Sequence, residues 1–138
     1  MAQNHLKQPH IIDLGRHLDH RGNLSVVEQR KDIPFDIARI YWIYDVPGGG
    51  YREGHAYHEN QEFIIALSGN FDVIVDDVHS RRVFSLNRSY YGLYVPSKCW
   101  RQLTNFSTNS VALILASTPY DENDYILDYS ELKSCVAR

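Results

Sequence analysis

The chain has 138 residues, 43% of them hydrophobic and 22% charged, with a formal net charge of −3; that length suits one domain around a single core. The absence of a Lys/Arg stripe excludes duplex nucleic acid as the expected partner, and no apolar run approaches the roughly 20 residues of a membrane-spanning helix. The polar start is no secretory signal, and two cysteines, Cys99 and Cys135, make neither a disulfide framework nor a four-thiolate zinc site, so a soluble cytoplasmic domain is expected.

Residues 1–9 are polar and are expected to fray, leaving a single domain over 10–138. Beyond them, short β-rich runs recur at close spacing. The pattern predicts strands over 10–14, 23–28, 38–45, 61–68, 70–76, 81–86, 90–95, 100–106 and 110–117. Turn formers separate them: Gly22, the Pro47-Gly48-Gly49-Gly50 loop, Ser68-Gly69-Asn70, Asp76-Asp77 and Pro96-Ser97. Phe71, Val73 and Val75 alternate with Asp72 and Ile74, as on a half-buried strand. Asn123 or Asp124 is placed to cap a terminal helix over 125–133. The fold class read from this is all-β, a sandwich or barrel with a short C-terminal helix. Ten Tyr, beside five Phe and two Trp, point to a wet cavity lined with aromatic rings.

Gly49, His55, Tyr57, Glu62 and Gly69 carry the most informative spacing. It resembles the first motif of the cupin superfamily, with Tyr57 at the second histidine position and Glu62 at the acid. Gly92, Pro96 and Asn105 echo the second motif, and Arg101 stands where metal cupins carry their last histidine. The resemblance implies a cupin jelly roll, a double-stranded β-helix. A divalent ion suits three imidazoles and a carboxylate, but this chain offers a phenol and a guanidinium at two of those places. A neutral phenol ligates poorly and a guanidinium repels a cation. His58 is adjacent to Tyr57, so along a strand it faces the other way. The barrel is therefore expected to be free of metal and of any other cofactor.

What remains is an imidazole beside a phenol and a guanidinium. Imidazole titrates near neutrality and suits proton transfer at carbon, while Arg101 and Tyr57 are placed to stabilise a developing oxyanion. A lone histidine on a strand is more often a surface or satisfied residue, and the motif spacing singles out only His55. His58 and His79 are read as surface residues; His5, His10, His17 and His20 are unassigned. Cys99 and Cys135 are read as buried or incidental thiols, and Trp42, Tyr44, Tyr90, Tyr91 and Tyr94 as core or interface residues.

A more specific resemblance rests on Asp19 to Leu24, Ile33-Pro34-Phe35, Arg39 to Asp45, Arg52 with Gly54-His55-Ala56, Leu67-Ser68-Gly69, Gly92 to Pro96, Asn105-Phe106-Ser107 and Tyr120 to Ile126. In these blocks the chain resembles the sugar 3,4-ketoisomerases, the WxcM-like family. The resemblance implies a metal-independent homodimer acting on dTDP-4-keto-6-deoxy-glucose, with neither nucleic acid nor membrane as partner. It makes His55 the principal acid/base group and Tyr41 its hydrogen-bonding neighbour. Arg39 and Arg52 fall at positions expected near the nucleotide diphosphate, where a planar guanidinium grips phosphate bidentately. Arg21 and Arg101 are expected around the hexose, bearing on the C4 configuration. Many members read His-Ala-His where this chain has His55-Ala56-Tyr57, so either Tyr57 replaces the second histidine as a shuttle or His55 acts alone. The alternatives are a non-catalytic nucleotide-sugar-binding cupin, a 3,5-epimerase of the same substrate and, last, a metal-dependent oxygenase.

Overall fold

A strand exists only where a neighbour takes up its backbone donors and acceptors, and pairing sorts the β-rich runs of this chain into two facing sheets. The computed structural model describes residues 8–137. Its strands are β1 (His10–Asp13), β2 (Arg39–Ile43), β3 (Ala56–Tyr57), β4 (Glu62–Ser68), β5 (Phe71–Asp76), β6 (Arg81–Leu86), β7 (Tyr91–Val95), β8 (Trp100–Thr104), β9 (Val111–Ala116) and β10 (Tyr125–Ile126), followed by helix α1 (Tyr129–Val136). One sheet has the order β1-β7-β4-β9-β2, the other β6-β5-β8, and β3 pairs with β10. This is the expected jelly roll. The strand expectations at 10–14, 38–45, 61–68, 70–76, 81–86, 90–95, 100–106 and 110–117 each fall on an observed strand, shorter by up to three residues.

The main core lies between the sheets. Phe71, Val73 and Val75 of β5 face Ile64 and Ala66 of β4, Leu93 of β7 and Ile114 of β9. Strand β4 is buried on both faces over its first five residues. The reason is a second layer: Ile33 and Phe35 cover the outer face, packing on Phe63, Ile65, Tyr94 and Leu115. A strand covered on both sides reads as a continuous apolar run rather than an alternation. Between β4 and β5 the chain changes sheets at Gly69, whose φ of +69° is a left-handed conformation open to glycine. A Cβ there would also lie 2.8 Å from the Ser110 Cα.

Two expectations are corrected. Residues 23–28 are not a strand; they form an exposed loop in which Leu24 makes an isolated bridge to His17. Their alternation finds no neighbouring strand to pair with. The helix expected over 125–133 starts later, at Tyr129, with Asp128 accepting from the Ser130 N–H at 2.9 Å. Tyr125 and Ile126 instead pair with Tyr57 and Ala56. Asp124 caps no helix: its carboxylate accepts from the Glu59 and Asn60 N–H groups at 2.8 and 3.1 Å. Helical spacing in this segment is genuine, but the open edge of β3 claims its first two residues. Of the stretch expected to fray, residues 1–7 lie outside the described residues, while Pro9 is buried and its carbonyl accepts from Arg82 at 2.8 Å.

Candidate active site

Strand periodicity decides which side chains enter the barrel. His55 bridges Arg101 across the backbone, its N–H donating to the Arg101 carbonyl at 3.1 Å and its carbonyl accepting at 2.9 Å. Paired residues project to the same face, and so does Tyr57, two positions on. From the opposite sheet, Tyr41 sits level with Ile114 and Ile64 in one cross-strand row. Glu62, two residues before Ile64, shares that inward face. Four elements thus bring His55, Tyr57, Arg101, Tyr41 and Glu62 together inside the barrel. His58, one residue past Tyr57, points out as expected; its ring stands 3.7 Å from Glu131 on α1. Gly54 lets the approach to His55 close down, since a Cβ there would meet the Trp100 Nε1 at 2.4 Å.

Glu62 is the hub of the hydrogen bonding. It is 1% exposed, Arg101 is 2% exposed, and Arg101 Nε donates to Glu62 Oε1 at 2.8 Å. A second guanidinium nitrogen donates to the Tyr41 hydroxyl at 2.9 Å. Tyr41 in turn donates to Glu62 Oε2, and the Tyr57 hydroxyl lies 3.2 Å from the same oxygen. Tyr57 is also 2.9 Å from His55 Nε2. Burial alone would raise the Glu62 carboxyl, but Arg101, the Tyr41 donor and His55 more than offset it, so its pKa is lowered and it stays ionised. Burial, with the Glu62 charge adding to it, pushes both phenols up; Tyr41 and Tyr57 keep their protons.

His55 is driven the other way. Burial first, then the Arg101 charge, lower its imidazole to about 4, against the pull of Glu62 and of the Glu53 backbone carbonyl. The ring is neutral at physiological pH. With its one proton on Nδ1, the ring turns the lone pair of Nε2 to the Tyr57 hydroxyl.

The cavity in front of this group measures about 870 Å³ and opens past Arg39, Tyr44, Tyr51, Arg52, Tyr120 and Tyr125. Arg39 lies within 5.5 Å of the Tyr41 ring and 5.7 Å of the Tyr120 ring, and its buried Nε has no hydrogen-bond partner. A buried donor without an acceptor is costly, which marks the place where an anion would complete it. Arg52 is exposed at the rim. Of the residues named from sequence, His55, Tyr57, Tyr41, Arg39, Arg52 and Arg101 therefore line one cavity. Arg21 does not: it is exposed and bound to Asp19 through Nε at 3.0 Å and a terminal nitrogen at 2.8 Å. Its block pattern carried no information about which face of the fold it occupies. Tyr41 does not touch His55 directly either; Glu62 and Tyr57 stand between them.

Sequence reasoning overlooked two members of the site. Glu62 was visible only as a motif acid, and its role as hub depends on contacts from strands far apart in the chain. Tyr125 was hidden in an apparent helix, yet its ring packs 5.0 Å from His55 and 4.7 Å from Tyr57. Among the described residues, no three His, Cys, Asp or Glu side chains converge as metal ligands would.

Comparison with known proteins agrees with this geometry. A TDP-4-oxo-6-deoxy-alpha-D-glucose-3,4-oxoisomerase of Aneurinibacillus thermoaerophilus is 36% identical over 128 residues, 93% of this chain and 92% of that relative. The structure of a 3,4-ketoisomerase from Helicobacter canadensis superposes with a TM-score of 0.90 at 36% identity, covering 94% of this chain and 98% of the other. A mutant of the 3,4-ketoisomerase QdtA from Thermoanaerobacterium thermosaccharolyticum, in complex with TDP-4-keto-6-deoxyglucose, gives 0.89 at 30% identity, with 94% of each chain covered. The family model described as FdtA, WxcM-like, C-terminal, matches residues 7–137. On that match, and with its cupin-type β fold, the chain belongs to the WxcM-like FdtA family.

Proposed function

We propose that this protein is a 3,4-ketoisomerase that moves the ketone of dTDP-4-keto-6-deoxy-glucose from C4 to C3 without a metal or redox cofactor. The observation that carries the reading is a neutral imidazole, His55, whose Nε2 lies 2.9 Å from the Tyr57 hydroxyl inside a cavity that also holds the unpartnered Arg39 Nε. Base, hydroxyl donor and anion site are the parts the reaction needs. The family relatives named for this reaction support it.

The C4 carbonyl acidifies the C3 hydrogen. His55 Nε2 removes that proton, and the electron pair left at C3 forms the C3–C4 double bond of an enediolate. The oxygen at C4 becomes negative and is met by the Arg101 charge. The charged imidazole then returns its proton to C4, while the proton of the C3 hydroxyl passes to the C4 oxygen, leaving a ketone at C3 and a hydroxyl at C4. Electrons shift only within the sugar, so nothing is oxidised or reduced from outside. An imidazole at about 4 is a weak base for carbon in the empty site. An anionic substrate bound nearby raises it, which ties proton transfer to occupancy.

Arg39 and the rim residue Arg52 are assigned to the diphosphate. Arg101 contributes through its charge, since two of its three nitrogens are already bound to Glu62 and Tyr41. The protein is placed in the cytoplasm as a single-domain homodimer. One feature supports the homodimer: the edge strand β2 with its continuation leaves Ile40, Trp42 and Tyr44 more than half exposed. The product would feed an aminotransferase making a 3-amino-3,6-dideoxyhexose for surface glycans.

Proton NMR of the metal-stripped protein with this substrate in D2O is the test. A 3-keto sugar with deuterium at C4 is expected, with deuterium at C3 in any 4-keto sugar that re-forms, and the C4 configuration of the product is read directly. Binding without exchange would replace the isomerase with a nucleotide-sugar-binding cupin, and label at C5 would indicate an epimerase.

A further inference from the structure

The Tyr57 hydroxyl has one proton and, beside the neutral Tyr125 phenol, two stronger acceptors within reach: His55 Nε2 at 2.9 Å and the Glu62 carboxylate Oε2 at 3.2 Å. While His55 is neutral with its proton on Nδ1, Nε2 is the nearer acceptor. The Tyr57 proton then blocks the lone pair that a base must use. When Nε2 itself carries a proton, it becomes a donor, and the Tyr57 oxygen must accept from it. The hydroxyl proton then needs another place, because an unbonded buried donor is costly. We propose that Glu62 is a positioning residue for the reaction: its Oε2 is the second seat for the Tyr57 proton, which frees His55 Nε2 to take a proton from substrate and lets the Tyr57 oxygen hold the imidazolium that results.

Three features make Glu62 fit that role. It is buried and kept ionised by Arg101, so it is always an acceptor and never a competing donor. Tyr41 donates to the same oxygen, and a carboxylate oxygen has lone pairs for both phenols. Tyr57 is walled in by the Tyr125 ring at 4.7 Å, so its hydroxyl turns about its own bond while the ring stays in place. The proton moves by rotation alone, and no bond to Glu62 forms or breaks. This role rests on the isomerase reading above, and it gives the Tyr57 hydroxyl a use that depends on having an acid behind it.

The test is a double-mutant cycle on the full-length protein with Glu62→Gln and Tyr57→Phe. In the wild-type background Glu62→Gln is expected to lower kcat about tenfold or more with KM within about twofold; in the Tyr57→Phe background the same change is expected to cost less than about twofold. Equal losses in both backgrounds would overturn the proposal, because a purely structural or charge effect of Glu62 does not need the Tyr57 hydroxyl. The same cycle is read without substrate by following the His55 ring nitrogens in 15N NMR as pH falls. The charges and phenols facing His55 are Arg101, Arg39, Glu62, Tyr57 and Tyr125, and only Tyr57 differs between the two backgrounds. A larger downward move of the His55 midpoint on Glu62→Gln when Tyr57 is present is expected, and equal moves would again overturn the role. Absence of turnover by the wild type would reject the isomerase reading alone, leaving the titration cycle to decide on Glu62. Should Glu62→Gln fail to fold because it strands the Arg101 charge, Glu62→Asp keeps the ion and draws it back from Tyr57 by one methylene; it must show the same dependence on Tyr57.

Discussion

Acidification should destabilise this protein through one identified ring. Burial and the Arg101 charge lower the His55 imidazole from 6.5 to about 4. The folded protein therefore binds fewer protons than the unfolded chain between those two values. Stability from this group is complete above about pH 6.5, declines as pH falls, and the decline ends near pH 4 where the folded form also protonates. At roughly 1.4 kcal/mol for each pH unit separating the two states, the loss is about 3 kcal/mol. Urea unfolding of wild type and His55→Gln at half-unit steps from pH 7 to pH 4 isolates it, since the carboxylates away from the ring titrate alike in both proteins and Arg101 keeps Glu62 ionised. The difference in unfolding free energy, wild type minus variant, is expected to fall by about 2–3 kcal/mol across that window. Parallel curves would refute the reasoning and mean that His55 is protonated as readily folded as unfolded.

Other expectations follow from the same contacts. His55→Asn should fold normally and lose kcat by about a hundredfold or more, measured by deuterium exchange at C3; retained turnover removes it as the base. Arg39→Met should raise KM for the nucleotide sugar about tenfold or more with little change in kcat, the value of a charge-assisted contact to phosphate. Arg101→Leu strands the Glu62 carboxylate and should cost about 3–5 kcal/mol in chemical denaturation, much of it restored when Glu62→Leu is added. Gly54→Ala drives a Cβ to 2.4 Å from the Trp100 Nε1. It should cost about 1–3 kcal/mol in thermal melts and reduce turnover by displacing His55; a variant equal to wild type in both would show that Trp100 yields freely.

What the chain discloses by itself is whatever depends on local period and spacing. Phe71, Val73 and Val75 announce a half-buried strand because alternate side chains leave a pleated backbone on opposite sides, and the same two-residue period puts His55 and Tyr57 on one face with His58 on the other. The family was legible for a related reason, since the matched blocks lie in fixed order along the chain. Tertiary structure alone decided the rest. Residues 23–28 have the composition of a strand, yet apart from the Leu24–His17 bridge no strand among the described residues pairs with them. Tyr125 sits at helical spacing, but the free edge of β3 draws it into a strand and against His55. The consequences of a buried Glu62–Arg101 pair are the clearest case. Glu62 comes from one sheet and Arg101 from the other, 39 positions apart in sequence. Only when the barrel closes does each remove the other's cost of burial. Burial above all keeps the two phenols protonated and the imidazole neutral, with Glu62 adding to the first effect and Arg101 to the second, because charge interactions depend on distance and solvent exclusion, and neither quantity is written in the order of residues.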